Sequence, residues 1–195
     1  QITKEMSKGK GELKYKIDNT GNLVDSMFNG IKKYNIKPFF VQSYTPLCLQ
    51  PEGGSFKSMI SENLLPDWQA INNKYAQHFK DNGYKGSWFE IWNNPDIYNL
   101  FFSGSVDDYC LLYKHAANGI READKDAQVG GPSFYGNYDY LTSFLDYIKT
   151  NSLPLDFVSF HAYENPVEKL FNMHAELSKR QLTTTPLILS SWTSF

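Results

Sequence analysis

The chain has 195 residues, a formal net charge of -2 and a sequence pI near 6.1, with 41% apolar and 21% charged residues. That length suits one domain with its own hydrophobic core, and the basic residues are scattered apart from a short mixed stretch at Lys4, Lys8 and Lys10. Nucleic acid and an anionic membrane are therefore excluded as expected partners, and no apolar run approaches the roughly 18 residues of a membrane span.

The chain opens at Gln1 without a charged segment followed by an apolar one, so a signal peptide is expected to be absent or already removed. Localisation stays open, with a secreted or periplasmic setting favoured over the cytoplasm. The pattern then alternates short apolar strands with amphipathic helices. A first helix is predicted from Asn22 to Tyr34, with Leu23, Met27, Ile31 and Tyr34 on one face. The strand Pro38–Tyr44 follows, then a long loop containing Pro51 and Gly53-Gly54. A helix from Asp67 to Lys80 places Trp68, Ile71, Tyr75 and Phe79 on one stripe, and Gly83 ends it.

Ser87–Trp92 reads as the next strand. Ser105, with Asp108 three residues later, resembles a capping box for a helix carrying Tyr109, Leu112, Ala116 and Ile120 inward. Ala127–Gly131 is a short strand, and Asn137 can cap a helix bearing Leu141, Phe144, Leu145 and Ile148. After the strand Asp156–His161, Asn165-Pro166 has cap-then-first-turn chemistry for a helix with Leu170, Phe171 and Leu177. Leu187–Ser190 is the last strand. Each connection is long enough for a crossover, which implies a parallel sheet, either a βα barrel or an open doubly wound sheet. No strand is followed by a glycine-rich phosphate loop; Gly130-Gly131-Pro132 lacks the spacing and Pro132 lacks an N–H, so dinucleotide binding is excluded. Cys48, Cys110 and the four histidines show no metal-ligand spacing, so no metal and no cofactor are expected.

In a parallel βα fold, chemistry collects at the C-terminal strand ends. Here those ends read Trp92-Asn93-Asn94-Pro95-Asp96, Gly130-Gly131-Pro132-Ser133, His161-Ala162-Tyr163 and Ser190-Ser191-Trp192-Thr193-Ser194. Each sets hydrogen-bonding groups beside an aromatic ring or a tight turn, which suits a sugar, polar at its rim and apolar on its faces. The aromatic content of 16% fits such a site, and equally fits a Phe-rich core.

Taken together these runs resemble glycoside hydrolase family 39, which includes β-xylosidases and α-L-iduronidases. Phe89–Asp96 is similar to the fourth-strand pattern F-E-(I/V)-W-N-E-P-(D/N), and Val129-Gly130-Gly131-Pro132 to the fifth-strand V-G-G-P. Asp156–Tyr163 resembles the sixth-strand D-F-(I/V)-S-x-H-x-Y, and Leu189–Ser194 the seventh-strand I-T-E-(W/F/Y)-N-(S/T). The resemblance covers Asn22 to the C-terminus. It implies an α/β fold of the (β/α)8 TIM-barrel type in one domain over residues 1–195. That barrel is expected to be incomplete, with about strands two to seven represented: a full barrel needs at least about 200 residues, and Glu12-Leu13-Lys14-Tyr15 is the only remnant of a second strand.

Two departures stand out. The family's acid/base Glu falls at Asn94, and its nucleophile Glu falls at Ser191. A retaining glycosidase needs both carboxylates, about 5–5.5 Å apart. Asn supplies no acidic proton, and a neutral Ser is a weak nucleophile without a base. The resemblance therefore implies a carbohydrate ligand contacted by Trp92, Asn93, His161, Tyr163 and Trp192, bound to a catalytically impaired site. Two alternatives stay open: an active glycosidase using another carboxylate such as Glu164, or a serine-dependent esterase using Ser191 and His161. Glu90 is expected to lie too deep along its strand to reach the same bond.

Overall fold

The computed structural model describes residues 2–6, 13–17 and 21–193. Strands β1 (Ile2–Met6) and β2 (Leu13–Ile17) pair antiparallel in a two-stranded sheet. The remaining chain alternates: α1 (Gly21–Lys32), β3 (Phe39–Gln42), α2 (Leu65–Asp81), β4 (Trp88–Ile91), α3 (Val106–Ala123), β5 (Gln128–Phe134), α4 (Tyr138–Thr150), β6 (Phe157–Ala162), α5 (Pro166–Lys179) and β7 (Leu187–Trp192). Strands β3 to β7 form one five-stranded sheet in sequential order, every pair parallel. Sequential parallel order with intervening helices is half of a βα barrel.

The expected barrel type thus stands, with one correction to its extent. Among the described residues Leu13–Ile17 pairs with β1 and not with the parallel sheet, so the second-strand remnant is one strand of an antiparallel pair. Its alternation of Leu13, Tyr15 and Ile17 with Lys14 and Lys16 has the period of an antiparallel strand rather than the continuous apolar run of a buried parallel one. Glu12 lies outside the described residues.

The core fills the space between the sheet's outer face and helices α2, α3 and α4. Trp68, Ile71 and Phe79 of α2 are buried there, as are Tyr109, Leu112, Ala116 and Ile120 of α3 and Leu141, Phe144, Leu145 and Ile148 of α4. These are the inward faces that the helical periodicity predicts. The Ser105–Asp108 capping box closes in both directions, and Asn137 Oδ1 accepts from the Tyr140 N–H at 3.2 Å. Two helix faces differ from expectation. In α1, Phe28 turns inward onto Phe40, Phe79 and Tyr84 while Met27 is exposed, and Tyr34, past the helix end, is exposed as well. In α5, Met173 and Leu177 are buried, whereas Leu170 and Phe171 face outward.

The sheet's other face is layered. Low along the strands, Phe39, Trp88 and Phe157 stack across β3, β4 and β6, with ring centroids 5.2–6.5 Å apart. Above that aromatic floor come Glu90, Ser159 and Ser190, and above those the strand ends.

Candidate functional site

Strands β3, β4, β6 and β7 and the loops after β4 and β6 line a cavity of ≈ 470 Å³ with Phe39, Val41, Glu90, Asn93, Asn94, Phe101, His161, Tyr163, Ile188, Ser190 and Ser191. That size and mixture of apolar wall with convergent polar groups is typical of a small-molecule site. The structure therefore brings together Asn93, Asn94, His161, Tyr163 and Ser191 from three different strand ends.

Backbone geometry at β4 explains how. Trp92 and Asn94 both take positive φ, 73° and 49°, which for non-glycine residues is uncommon and concentrated at functional sites. These turns swing Asn93 toward β3, where its Nδ2 donates to the Tyr44 hydroxyl at 2.9 Å. Asn94 is nearly buried, and its Oδ1 makes no hydrogen bond among the described residues. Asp96 closes the turn: its carboxylate accepts from the N–H groups of Tyr135, Gly136 and Asn137 at 2.7–3.1 Å, tying the β4 loop to the loop after β5.

On β6 and β7, His161 and Ser191 are register partners, yet they do not form a serine–histidine pair. Ser191 Oγ is hydrogen-bonded to the Tyr163 hydroxyl at 2.8 Å, and His161 Nε2 to Ser133 Oγ at 2.8 Å. His161 Nδ1 has no partner among the described residues. Burial, then the positive charge of Lys169, holds the imidazole below its ordinary pKa, so it is neutral at physiological pH. Lys169 donates to the His161 carbonyl at 2.7 Å and sits over the Phe134 ring, and burial lowers its own pKa.

Three sequence expectations change. Trp92 is fully buried, its Nε1 donating to the Phe101 carbonyl at 3.0 Å and its ring packed edge-on against Tyr44, Trp68 and Phe102; it is core, not a stacking wall. Trp192 is exposed and outside the cavity lining. Glu164 is exposed and also outside the lining; Glu90, expected to lie deep, is buried and is the one carboxyl among the lining residues. Only 1% exposed, Glu90 has its pKa raised by burial, with the hydroxyls of Ser159, Ser190 and Ser133 pulling the other way. Its Oε1 has no hydrogen bond among the described residues. Ser133 appears in the sequence only as the end of the run Gly130-Gly131-Pro132-Ser133, with no role assigned to it. The signal lay in Gly130-Gly131-Pro132: proline cannot continue a ladder, and the β5–β6 register does shift between Gly131 and Phe134. Ser194, the end of the last motif, lies outside the described residues. Among the described residues no group of three His, Cys, Asp or Glu side chains is placed to hold a metal ion, and no helix is long and apolar enough to cross a membrane.

The family model for glycosyl hydrolases family 39 matches residues 7–186. A β-xylosidase of Caldicellulosiruptor saccharolyticus is 27% identical over 165 residues, 80% of this chain and 33% of that protein. A β-xylosidase of Geobacillus stearothermophilus is 30% identical over 163 residues, 77% of this chain and 32% of its own length. The solved structure of a family 39 β-xylosidase from Caulobacter crescentus superposes with a TM-score of 0.80 at 22% identity, covering 99% of this chain and 44% of that one. The chain thus spans about a third of the length of the curated relatives it matches.

Proposed function

Since this chain belongs to glycoside hydrolase family 39, we propose that its cavity binds a β-linked glycan such as a xyloside and that these residues do not hydrolyse it. The observation that carries the reading is the make-up of the cavity: Asn94 and Ser191 stand where the resemblance puts the acid/base and nucleophile, and Glu90 is the single carboxyl in the lining. Retention needs two carboxyl groups flanking the bond, and the loss of a general acid alone costs about 10²–10⁴ in rate.

Binding chemistry survives that loss. Asn94 Oδ1 and His161 Nδ1 are buried polar atoms with no partner among the described residues, both in the lining of the cavity. Such atoms cost stability unless something pairs with them, and sugar hydroxyls are suitable partners. Phe39, Val41, Phe101 and Ile188 supply the apolar wall for a pyranose face. Asn93 and Tyr163 contribute at the rim, each already oriented by a hydrogen bond.

The two alternatives have weaker support. Glu164 is outside the cavity, and Ser191 has Tyr163, a poor base, rather than His161 as its partner. Isothermal titration with xylo-oligosaccharides, with the same samples assayed for released sugar, tests the reading. Saturable binding without released sugar is the expected result. Hydrolysis would overturn the inactive assignment, and absence of binding would overturn the ligand assignment.

A further inference from the structure

Seven buried side-chain atoms have no hydrogen-bond partner among the described residues, and four of them belong to residues lining this one cavity: Glu90 Oε1, Asn94 Oδ1, His161 Nδ1 and Ser190 Oγ. A polar atom left buried and unpaired destabilises a fold. Four in one cavity therefore point to a group from outside the chain. They come from separate pieces of backbone: Glu90 from β4, Asn94 from the loop after it, His161 from β6 and Ser190 from β7. Glu90, Asn94 and His161 are only 1–5% exposed. The 2.8 Å hydrogen bond between His161 Nε2 and Ser133 Oγ fixes the ring and leaves Nδ1 as the unused nitrogen.

What the four atoms share is a capacity to accept. A carboxylate oxygen and an amide oxygen only accept. Nδ1 accepts whenever Nε2 carries the single proton of the neutral ring, and a hydroxyl oxygen accepts as well as donates. No lysine or arginine lines the cavity to balance Glu90. Lys169 is committed elsewhere, donating to the His161 carbonyl at 2.7 Å, and is outside the lining. Burial pushes Glu90 toward its protonated form, the response of a carboxyl taken out of water. A sugar hydroxyl would bring this cluster one donor and no charge. A protonated primary amine is of similar size and brings three N–H donors together with the missing positive charge.

We propose that the cavity takes a protonated primary amine carried on a β-linked sugar, with Glu90 as the residue that determines specificity and Asn94, His161 and Ser190 as the further acceptors.

This rests on the glycan-binding reading and narrows it, from β-linked glycans in general to those with an unacetylated amino sugar. Acetylation would remove both advantages, because an acetamide is neutral, keeps a single N–H and adds bulk.

Isothermal titration in phosphate buffer at about pH 6, where an amino sugar is protonated, compares four probes. Three are β-1,4-linked trimers that differ only at C2: glucosamine with an amine, N-acetylglucosamine with an acetamide, and cellotriose with a hydroxyl. The fourth, spermidine, carries amines without a sugar. The glucosamine trimer is expected to bind about tenfold or more tighter than cellotriose, the gain of a charge-assisted hydrogen bond, and to exceed the acetylated trimer by at least as much. Glu90→Gln keeps the shape and removes the charge, so it should bring the glucosamine trimer and cellotriose within about twofold of each other. Equal affinity for those two in the unaltered protein would overturn the amine assignment and leave glycan binding standing. Spermidine binding as tightly as the glucosamine trimer would overturn the sugar as carrier, and a preference undiminished in Glu90→Gln would overturn the role of Glu90. Should that variant fail to fold, the four probes on the unaltered protein still decide the ligand class. No saturable binding of any trimer, nor of xylotriose, would remove the glycan reading and the amine assignment together.

Discussion

Gly130 offers a sharp quantitative test, because two opposite effects meet there. It pairs with Glu90 across β4–β5 and with Phe157 across β5–β6. In the middle of a strand, glycine is about 0.5–1 kcal/mol worse than alanine, so propensity predicts that Gly130→Ala stabilises. The structure predicts the reverse. A Cβ at this position would stand 2.3 Å from the Phe157 carbonyl oxygen and 2.6 Å from its ring, where ordinary contact begins at 3.4 Å. The obstacle is backbone on a central strand, and the ring is held by Trp88 and Phe39 at 5.2 and 5.5 Å. Relief requires β5 and β6 to part by about 1 Å, and overpacking of this kind costs about 1–3 kcal/mol. The net expectation is a loss of about 1–2 kcal/mol, a fall in Tm of about 2–8 °C for a domain of this size. The same separation would stretch the Ser133–His161 hydrogen bond, so oligosaccharide affinity should fall as well. Calorimetric melting reads the first effect and titration the second. A Tm equal to or above that of the unaltered protein would refute the close approach of β5 to β6, and with it the geometry assigned to Ser133.

Three other outcomes follow from the structure. Asn94→Glu with Ser191→Glu should create aryl-β-xylosidase activity that either single change lacks, and a double variant that binds xylo-oligosaccharide but stays inert would disprove the assignment of those positions. Glu90 has a folded-state pKa above its unfolded one, so its contribution is fully present below the unfolded value and is lost as pH rises through the folded value; in urea titrations Glu90→Gln should therefore gain stability relative to the unaltered protein from pH 4 to pH 8, and a pH-independent difference would count against it. Burial pushes the Cys110 thiol up to about 12, so it should resist alkylation at pH 8 until the protein unfolds; modification at the rate of a free thiol in the folded state would contradict its packing.

Much of this architecture is legible in the sequence, because it rests on periodicity and punctuation. The α3 stripe of Tyr109, Leu112, Ala116 and Ile120 and the Ser105–Asp108 cap follow from spacing alone, and the four strand-end motifs identify the sheet's polar rim. What the sequence hides is direction. Trp92 follows Ile91 in the strand pattern, but its left-handed backbone turns it into the core, and no one-dimensional rule anticipates that. Counting rise along a strand gives the depth of Glu90 but not how far a cavity extends downward between strands. Placing Ser133 requires knowing that the ladder shifts at Pro132, where composition signals only an interruption.

The order β3-β4-β5-β6-β7 also sets how long each backbone amide keeps its hydrogen. Strands β4, β5 and β6 are bonded on both sides, while β3 and β7 have one strand neighbour each among the described residues. Glu90, Ser133 and His161 therefore lie on the strands whose opening demands the most cooperative disruption, and Ser191 and Val41 lie on strands that can detach singly. Deuterium uptake would accordingly be slowest along the floor of the cavity and fastest along its two walls. A ligand bridging β6 to β7 would slow exchange chiefly in β7.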